Sequence, residues 1–352
     1  MDTATRDAIL SGRRRTVAAA VLRGGLAVAE PFYTAAAVVH GRNRHRRRVA
    51  LPVPVVSVGN VTCGGTGKTP VVAHVVSRLT KAGRSPGILS RGYRSLDDGK
   101  DDGSGGNDER RVLDALCPGV PHEQSRDRIA AGRALIDAGC DALVLDDGFQ
   151  YRGLARDLDL VVVDALNPFG YGHCLPRGLL REPLASLARA DAVLLNRSDA
   201  VSRETRERIV RDVAAHTDAP ITLAQVKPTQ LVGVDGRTAP LDRLGQTATL
   251  AFCGLGNPDG FAATLDGLEA ARLGEVVAFP DHHHYAAGDL ARLDRIAADR
   301  GAEALVCTRK DLVKLSAAAI GGRPVWAVDI ALTLDGVCEP LERLVEGLKD
   351  EG

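Results

Sequence analysis

No C-x-x-C pair occurs among the seven cysteines, which stand at positions 63, 117, 140, 174, 253, 307 and 338. An odd number cannot all pair within one chain, so the expectation is a reduced, cytoplasmic protein rather than a disulfide scaffold. Nor is there an unbroken apolar run of the ~20 residues that a spanning helix needs. The longest candidate, Val17 to Val39, is interrupted by Arg23, Glu30 and Pro31. Lysine is missing from the first 50 residues, which hold ten arginines against Asp2, Asp7 and Glu30. That arm carries +7 and leaves −7 on the rest of a chain whose formal net charge is zero. Internal repeats are lacking as well, and a chain 45% hydrophobic and 26% charged has neither a disordered nor a fibrous composition.

What is present begins with that arm. A largely apolar segment flanked by Arg13 to Arg15 and Arg46 to Arg48 reads as lying on a membrane rather than crossing it, with anionic lipids as its partner. Two rivals stand beside this reading. A cleaved signal peptide would hold no Arg or Glu inside its apolar region, and a plain structural helix would simply carry a solvated basic face.

From residue 53 short apolar runs alternate with helical periodicity, the pattern of parallel strands joined by crossover helices. Val53 to Val58, Pro86 to Leu89, Ala142 to Leu145, Leu158 to Val163 and Ala192 to Leu195 read as strands. Val71, Val72, Val75, Val76 and Leu79 share one helical face before Gly83, and a further helix is predicted over Arg128 to Ala138. Residues 97 to 109, rich in Asp and Gly, predict a mobile loop. A second set of strands is expected at Leu250 to Cys253, Glu275 to Phe279, Ala304 to Cys307 and Val325 to Val328. The fold class is thus α/β: a P-loop, doubly wound, mostly parallel sheet, a second, smaller α/β domain and a basic, apolar N-terminal arm. The expected division is 1–50 for the arm, 51–225 for the P-loop domain and 226–352 for the C-terminal domain.

Gly64-Gly65-Thr66-Gly67-Lys68-Thr69 lies between a predicted strand and an amphipathic helix, where a phosphate-binding loop belongs. Thr62 and Cys63 complete the loop. Glycines let backbone N–H groups wrap phosphates, and the helix N-terminus adds partial positive charge. Lys68 then neutralises the β- and γ-phosphates of a nucleotide while the Thr69 hydroxyl ligates Mg²⁺. Thr62 stands where the strict G-x-x-x-x-G-K-[ST] pattern has Gly, and an ordinary glycine-rich turn is the bland alternative. Asp146-Asp147, after the apolar run Ala142 to Leu145, supplies carboxylates for the metal; the alternative is a strand end reaching solvent.

Ser57 to Pro70, Leu89-Ser90-Arg91-Gly92-Tyr93 and Asp146-Asp147-Gly148-Phe149-Gln150 together resemble the tetraacyldisaccharide 4′-kinases of lipid A biosynthesis. The likeness continues, in the family's order, through Leu175 to Pro183, Phe252 to Pro258, Pro280-Asp281-His282-His283 and Thr308-Arg309-Lys310-Asp311. The resemblance implies transfer of the γ-phosphate of ATP to the 4′-hydroxyl of a tetraacylated glucosamine disaccharide 1-phosphate. It further implies a peripheral or monotopic place on the cytoplasmic face of the inner membrane, with neither nucleic acid nor an obligate protein as partner.

The family's base is an Asp in a Gly-Asp-Glu-Pro motif, assisted by a His. The matching positions are Asp108, within Asn107-Asp108-Glu109-Arg110, and His282. By the same resemblance Arg181 serves the phosphates and Arg128, Gln150 and Glu182 the substrate. Tyr151, Leu179 and Arg309 depart from the family's usual His, Pro and Glu. Acids on a solvated loop are the alternative for Asp108, surface ion pairs for the arginines, and zinc or a satisfied surface imidazole for the histidine run 282–284.

Two other functions compete. Asn196-Arg197-Ser198-Asp199 imitates the guanine-reading N-K-x-D of GTPase switches, although the accompanying D-x-x-G would need Asp at position 145, which is Leu. Membrane-partitioning ATPases share an anchor and a glycine loop, but their signature Lys would fall at Cys63.

Overall fold

The structure is a computed structural model that describes residues 3–91, 108–255, 258–280 and 283–350. The chain opens with α1 (Thr3–Leu10) and α2 (Val17–Arg46), the latter capped by Thr16, whose side chain accepts from Ala19 N. α2 runs thirty residues through Pro31, so Arg23, Glu30 and Pro31 interrupt its apolar character without ending the helix. Pro31 and Ala27 are both exposed, so the carbonyl that proline leaves unserved can be solvated.

The elements that follow are β1 (Val55–Gly59), α3 (Lys68–Lys81), β2 (Pro86–Ser90), α4 (Asp108–Leu116), β3 (His122–Gln124), α5 (Arg128–Asp137), β4 (Ala142–Asp146), β5 (Leu158–Asp164), β6 (Ala192–Asn196), α6 (Arg203–Ala214) and β7 (Ile221–Gly233). After them come β8 (Thr238–Ala239), α7 (Arg243–Gln246), β9 (Thr249–Cys253), α8 (Pro258–Gly267), β10 (Val277–Ala278), α9 (Ala287–Asp299), β11 (Ala304–Thr308), α10 (Arg309–Leu312), β12 (Ala319–Ile320), β13 (Arg323–Asp335) and α11 (Glu339–Asp350). Of the segment 97–109, the part up to 107 lies outside the described residues, and the backbone at 108 and 109 already belongs to α4.

The chain divides into two units whose boundaries fall within α4, β7 and β13. The first holds the residues up to 91, 116–226 and those from 332 on; the second holds α4 up to Ala115 and Lys227–Ala331. In the first unit the strand order is β7-β6-β5-β1-β4-β2-β3, and each neighbouring pair is parallel. β1, β2, β5 and β6 are buried along their whole length, as a parallel sheet covered by helices on both faces requires. α3 lays Val71, Val72, Val75, Val76 and Leu79 on the sheet, and Gly83, at φ 84°, turns the chain away after its last turn. α11 returns to this unit, where Glu342 pairs with Arg78 of α3.

The second unit orders its strands β10-β9-β11-β13-β7, with β12 antiparallel to β13 and β8 antiparallel to β7. Its core gathers Leu250, Phe252, Leu293, Leu305, Cys307 and Val325. The division expected between residues 225 and 226 falls inside the thirteen-residue β7. Its burial alternates only in part, which is why periodicity does not reveal it.

Candidate active site

Strand ends decide what can meet here. β1 lies between β4 and β5, with Val58 in register with Asp146, while Asp164 at the end of β5 faces Asn196 at the end of β6. The glycine loop leaves β1 at this carboxyl edge, the place where open α/β sheets bind ligands.

Asn60, fully buried, anchors the start of the loop. Its Oδ1 accepts from Lys68 Nζ at 2.9 Å, its Nδ2 donates to the Thr62 carbonyl, and its own carbonyl accepts from Gln150 Nε2 at 2.8 Å. Gly67, at φ 76°, makes the turn into α3; a Cβ there would stand 2.3 Å from Asn196 Nδ2. Only glycine meets both demands. From beneath, Asn196 Nδ2 donates to the Thr66 carbonyl at 3.0 Å, and Arg197 Nη2 bridges the Gly65 carbonyl at 2.7 Å and Asp164 Oδ2 at 2.6 Å. The buried Thr66 hydroxyl has no hydrogen-bond partner among the described residues, an orphan that a phosphate oxygen would satisfy.

Beside the loop, Thr62 bridges to Leu180, Cys63 N donates to the Leu179 carbonyl and Arg181 N donates to the Val61 carbonyl. This pairing brings Arg181 to the loop. Its Nη1 meets Asp147 Oδ1 at 2.8 Å, Asp147 Oδ2 at 2.7 Å and Gln150 Oε1 at 3.3 Å, while Lys68 Nζ approaches Asp147 Oδ1 to 3.3 Å. Burial by itself would raise the Asp147 carboxyl; Lys68 and Arg181 outweigh it and hold it at about 2. Burial would likewise lower Arg181, and Asp147 with Cys63 drives it above its ordinary value instead. Asp147 sits at φ 53°, in the turn after β4.

Asp127 caps α5 through Ile129 N and Ala130 N, which makes Arg128 the first residue of that helix. Arg128 is 2% exposed, far from a surface ion pair: it donates to the Asp147 carbonyl at 3.3 Å and lies 4.9 Å from the Tyr151 ring centre. Burial pulls Arg128 below its ordinary value, against the opposing pull of Asp147 and Asp146. Glu182, also buried, gives its carboxylate to Arg189 at 2.9 Å.

For Mg²⁺ the candidate hard-oxygen donors at this edge are the half-buried Thr69 hydroxyl in the first turn of α3 and the carboxylates of Asp146 and Asp147, the latter paired with Lys68 and Arg181. These are hard oxygen ligands, few in number, which fits an ion that takes one or two protein carboxylates and completes its shell with phosphate and water.

The structure thus brings together Lys68, Asp147, Arg181, Gln150 and Arg128 with the loop Thr62 to Thr69. Asp108 opens α4 by its backbone, its side chain lying outside the described residues, as does His282. His283 Nε2 sits 3.0 Å from Asp289 Oδ2, and its ring stacks on Phe279. Arg309, one of the departures, donates from Nη2 to the carbonyl of Ala115 at the end of α4, a cation on a helix C-terminus. Sequence reasoning passes over Asn60, Asp164, Asn196 and Arg197 as parts of this site. Asp164 carries the same signal as Asp146, an acid closing an apolar run.

A strand, a glycine loop, a helix N-terminus and a lysine facing a strand-end carboxylate define a P-loop phosphotransferase. A family model described as tetraacyldisaccharide-1-P 4′-kinase matches residues 26–346. Tetraacyldisaccharide 4′-kinase from Anaeromyxobacter sp. (strain K) is 41% identical over 310 residues, 83% of this chain and 81% of that one. The enzyme of the same name from Syntrophus aciditrophicus (strain SB) is 40% identical over 292 residues, 77% of each chain. Among solved structures, LpxK from Aquifex aeolicus in complex with ATP superposes with a TM-score of 0.73 at 27% identity, covering 93% of this chain and 98% of that one. The chain belongs to the tetraacyldisaccharide-1-P 4′-kinase family.

Proposed function

We propose that this chain moves the γ-phosphoryl group of ATP to the 4′-hydroxyl of a tetraacylated glucosamine disaccharide 1-phosphate, the reaction its relatives are named for. The observation that carries the reading is the convergence of Lys68 and Arg181 on one carboxylate beside the glycine loop. Two cations held in that way are placed to exchange a carboxylate for phosphate oxygens. The backbone N–H groups from Thr62 to Thr69, the N-terminus of α3 and the Thr66 hydroxyl cradle the triphosphate. Thr69 and Asp146 would hold Mg²⁺, which when bound neutralises charge on the β- and γ-phosphates.

The 4′-oxygen attacks the γ-phosphorus, the bond from that phosphorus to the bridging oxygen of ADP breaks, and the hydroxyl proton passes to Asp108 with His282 assisting. Lys68 and Arg181 neutralise the charge that spreads over the transferring group. Arg128, Gln150 and Glu182 belong to the acceptor side. A nucleotide switch is not favoured: the Asn196 and Arg197 side chains support the loop carbonyls of Thr66 and Gly65.

An acceptor with four acyl chains has to be met at a lipid surface. Taking Val17 as zero at 100° per residue, the exposed Val17, Val21, Val28, Phe32 and Val39 of α2 fall within an arc of about 60°. No helix of the described residues is long and apolar enough to cross a membrane. The stripe suits insertion among acyl chains, with the arginines of the arm on anionic head groups, at the cytoplasmic face of the inner membrane.

The test is to incubate protein, Mg²⁺ and γ-labelled ATP with the tetraacyldisaccharide 1-phosphate and extract the lipid. Label is expected in the lipid phase, and none with Lys68→Ala. Label appearing solely as inorganic phosphate would overturn the assignment.

A further inference from the structure

The face of α2 opposite the apolar stripe is engaged with the body of the first unit. On the same angular scale the buried Ala19 and Gly41, together with Glu30 and Tyr33, lie between about 160° and 240°. Glu30 Oε1 accepts from Cys174 N at 2.7 Å, and its Oε2 stands 3.0 Å from His173 Nδ1. One helical turn on, Tyr33 OH donates to the carbonyl of Arg181 at 3.2 Å. Farther along, Arg44 lies 5.3 Å from the ring centre of Tyr151, and Val49, just past the helix, exchanges backbone hydrogen bonds with Gly153 and Ala155.

These contacts fall on two segments that border the phosphate site. The segment 173–181 ends in Arg181, and the segment 146–155 begins with Asp146-Asp147; their side chains form the Arg181–Asp147 pair next to Lys68. We propose that Glu30 and Tyr33 are positioning residues for the phosphoryl transfer: through them α2 holds the segment 173–181 so that Arg181 stays aimed at the phosphate site, which makes the lipid-contact helix a strut of the active site. This rests on the reading of Arg181 given above.

The physical ground is that Arg181 is fixed at its backbone from two sides. Val61 accepts from its N–H, which ties it to the glycine loop, and Tyr33 donates to its carbonyl, which ties it to α2. A long guanidinium side chain needs its Cα held for its head group to be placed within a fraction of an ångström, and a misplaced group loses its advantage in the transition state more than in binding. Tyr33→Phe removes one neutral hydrogen bond and leaves the ring; Glu30→Gln removes the charge and turns one of the two acceptor oxygens into an amide donor while keeping the shape; Glu30→Asp keeps the carboxylate.

The experiment uses the full chain with substrate in detergent mixed micelles, where membrane docking no longer limits access, and in parallel follows flotation on vesicles of phosphatidylethanolamine and phosphatidylglycerol. Tyr33→Phe and Glu30→Gln are expected to float as the parent does. Their kcat should fall about tenfold each, the kinetic equivalent of one hydrogen bond, with KM for ATP within about twofold. Glu30→Asp should recover part of the loss, and Phe32→Ser, on the opposite face, serves as the control that flotation responds to the stripe. Unchanged kcat in both clamp variants while Arg181→Ala is inactive overturns the strut and leaves the reading of Arg181 standing. A normal kcat in Arg181→Ala removes both. Loss of flotation in step with kcat would also overturn the proposal, since α2 would then be an anchor alone.

Discussion

One nitrogen of Arg181, Nη1, reaches both carboxylate oxygens of Asp147, at 2.8 and 2.7 Å, across 34 residues of sequence. With Lys68 on the other side, the pairing takes Asp147 from its ordinary 3.8 to about 2 against the opposing effect of burial. A carboxyl whose folded pKa lies below its unfolded one adds stability that is full above the unfolded value and fades as pH falls through the folded one. Asp147 should therefore contribute roughly 2 kcal/mol above about pH 4, lost progressively toward pH 2. Urea unfolding of Asp147→Asn across this range should show lower stability at neutral pH and a flatter acid limb than the parent. An acid limb of the same steepness in both proteins would count against the pairing.

Thr69→Ala and Asp146→Ala should each raise the Mg²⁺ concentration needed for half-maximal phosphoryl transfer, by about tenfold or more, because each removes one hard oxygen from a site with few. The same variants should bind the acylated disaccharide normally. A Mg²⁺ titration of kcat tests this, and identical half-saturation in both variants would place the metal elsewhere.

Asn196 supports the loop through the Thr66 carbonyl. Asn196→Ala should raise KM for ATP and for GTP by the same factor, on the order of fivefold to tenfold for one lost hydrogen bond. A base-reading asparagine would instead change the ratio of the two nucleotides. Gly67→Ala should be far worse, since a Cβ would meet Asn196 Nδ2 at 2.3 Å in a left-handed turn.

Arg156 lies behind the turn that carries Asp147. Its Nη1 donates to the Gly148 carbonyl at 3.1 Å and to Asp159 Oδ2 at 3.1 Å, and its Nη2 donates to the Tyr151 and Leu154 carbonyls. Burial raises Asp159, with Arg156 opposing, so Arg156→Ala leaves a buried acid without its cation and should cost about 3 kcal/mol. Asp159→Asn in the same chain should return part of that loss. Denaturant midpoints at constant slope, in a double-mutant cycle, measure the coupling; strict additivity would mean that the two residues stabilise separately.

Asp108→Ala should lower kcat by about a hundredfold with little change in KM for ATP, as expected for a group that acts in the transition state. His282→Ala should follow it, and the double variant should lose less than the product of the two. Single-turnover transfer of labelled phosphate gives the rate directly, and an unaltered rate in Asp108→Ala would remove it as the base.

Much of this was legible in order of locality. The glycine loop, the helix of Val71 to Leu79 and the acids closing β4 are written in spacing, because a 3.6-residue period, a strand's apolar run and a glycine's backbone freedom act over fewer than ten residues. The departure at Thr62 is harmless for a structural reason: Thr62 is bridged to Leu180 and its carbonyl is held by Asn60. By contrast Asn196-Arg197 imitates a base-reading motif in sequence, and its strand lies in the sheet where those side chains meet loop carbonyls 130 and 132 residues away.

The sequence by itself determined the chemistry on offer: a lysine and a threonine at a helix N-terminus, carboxylates at a strand end, and an arm with a largely apolar segment and ten arginines. Tertiary structure alone decided the partnerships. Arg181 meets Asp147 because the segment after Cys174 pairs with the glycine loop, and Glu30 meets His173 and Cys174 because α2 lies against that segment across more than 140 residues. Likewise the chain from 332 onward folds with the first unit although it follows the second. Strand order and register set these long-range meetings, and neither leaves a periodic trace along the chain, since the same apolar run fits equally well beside several neighbours.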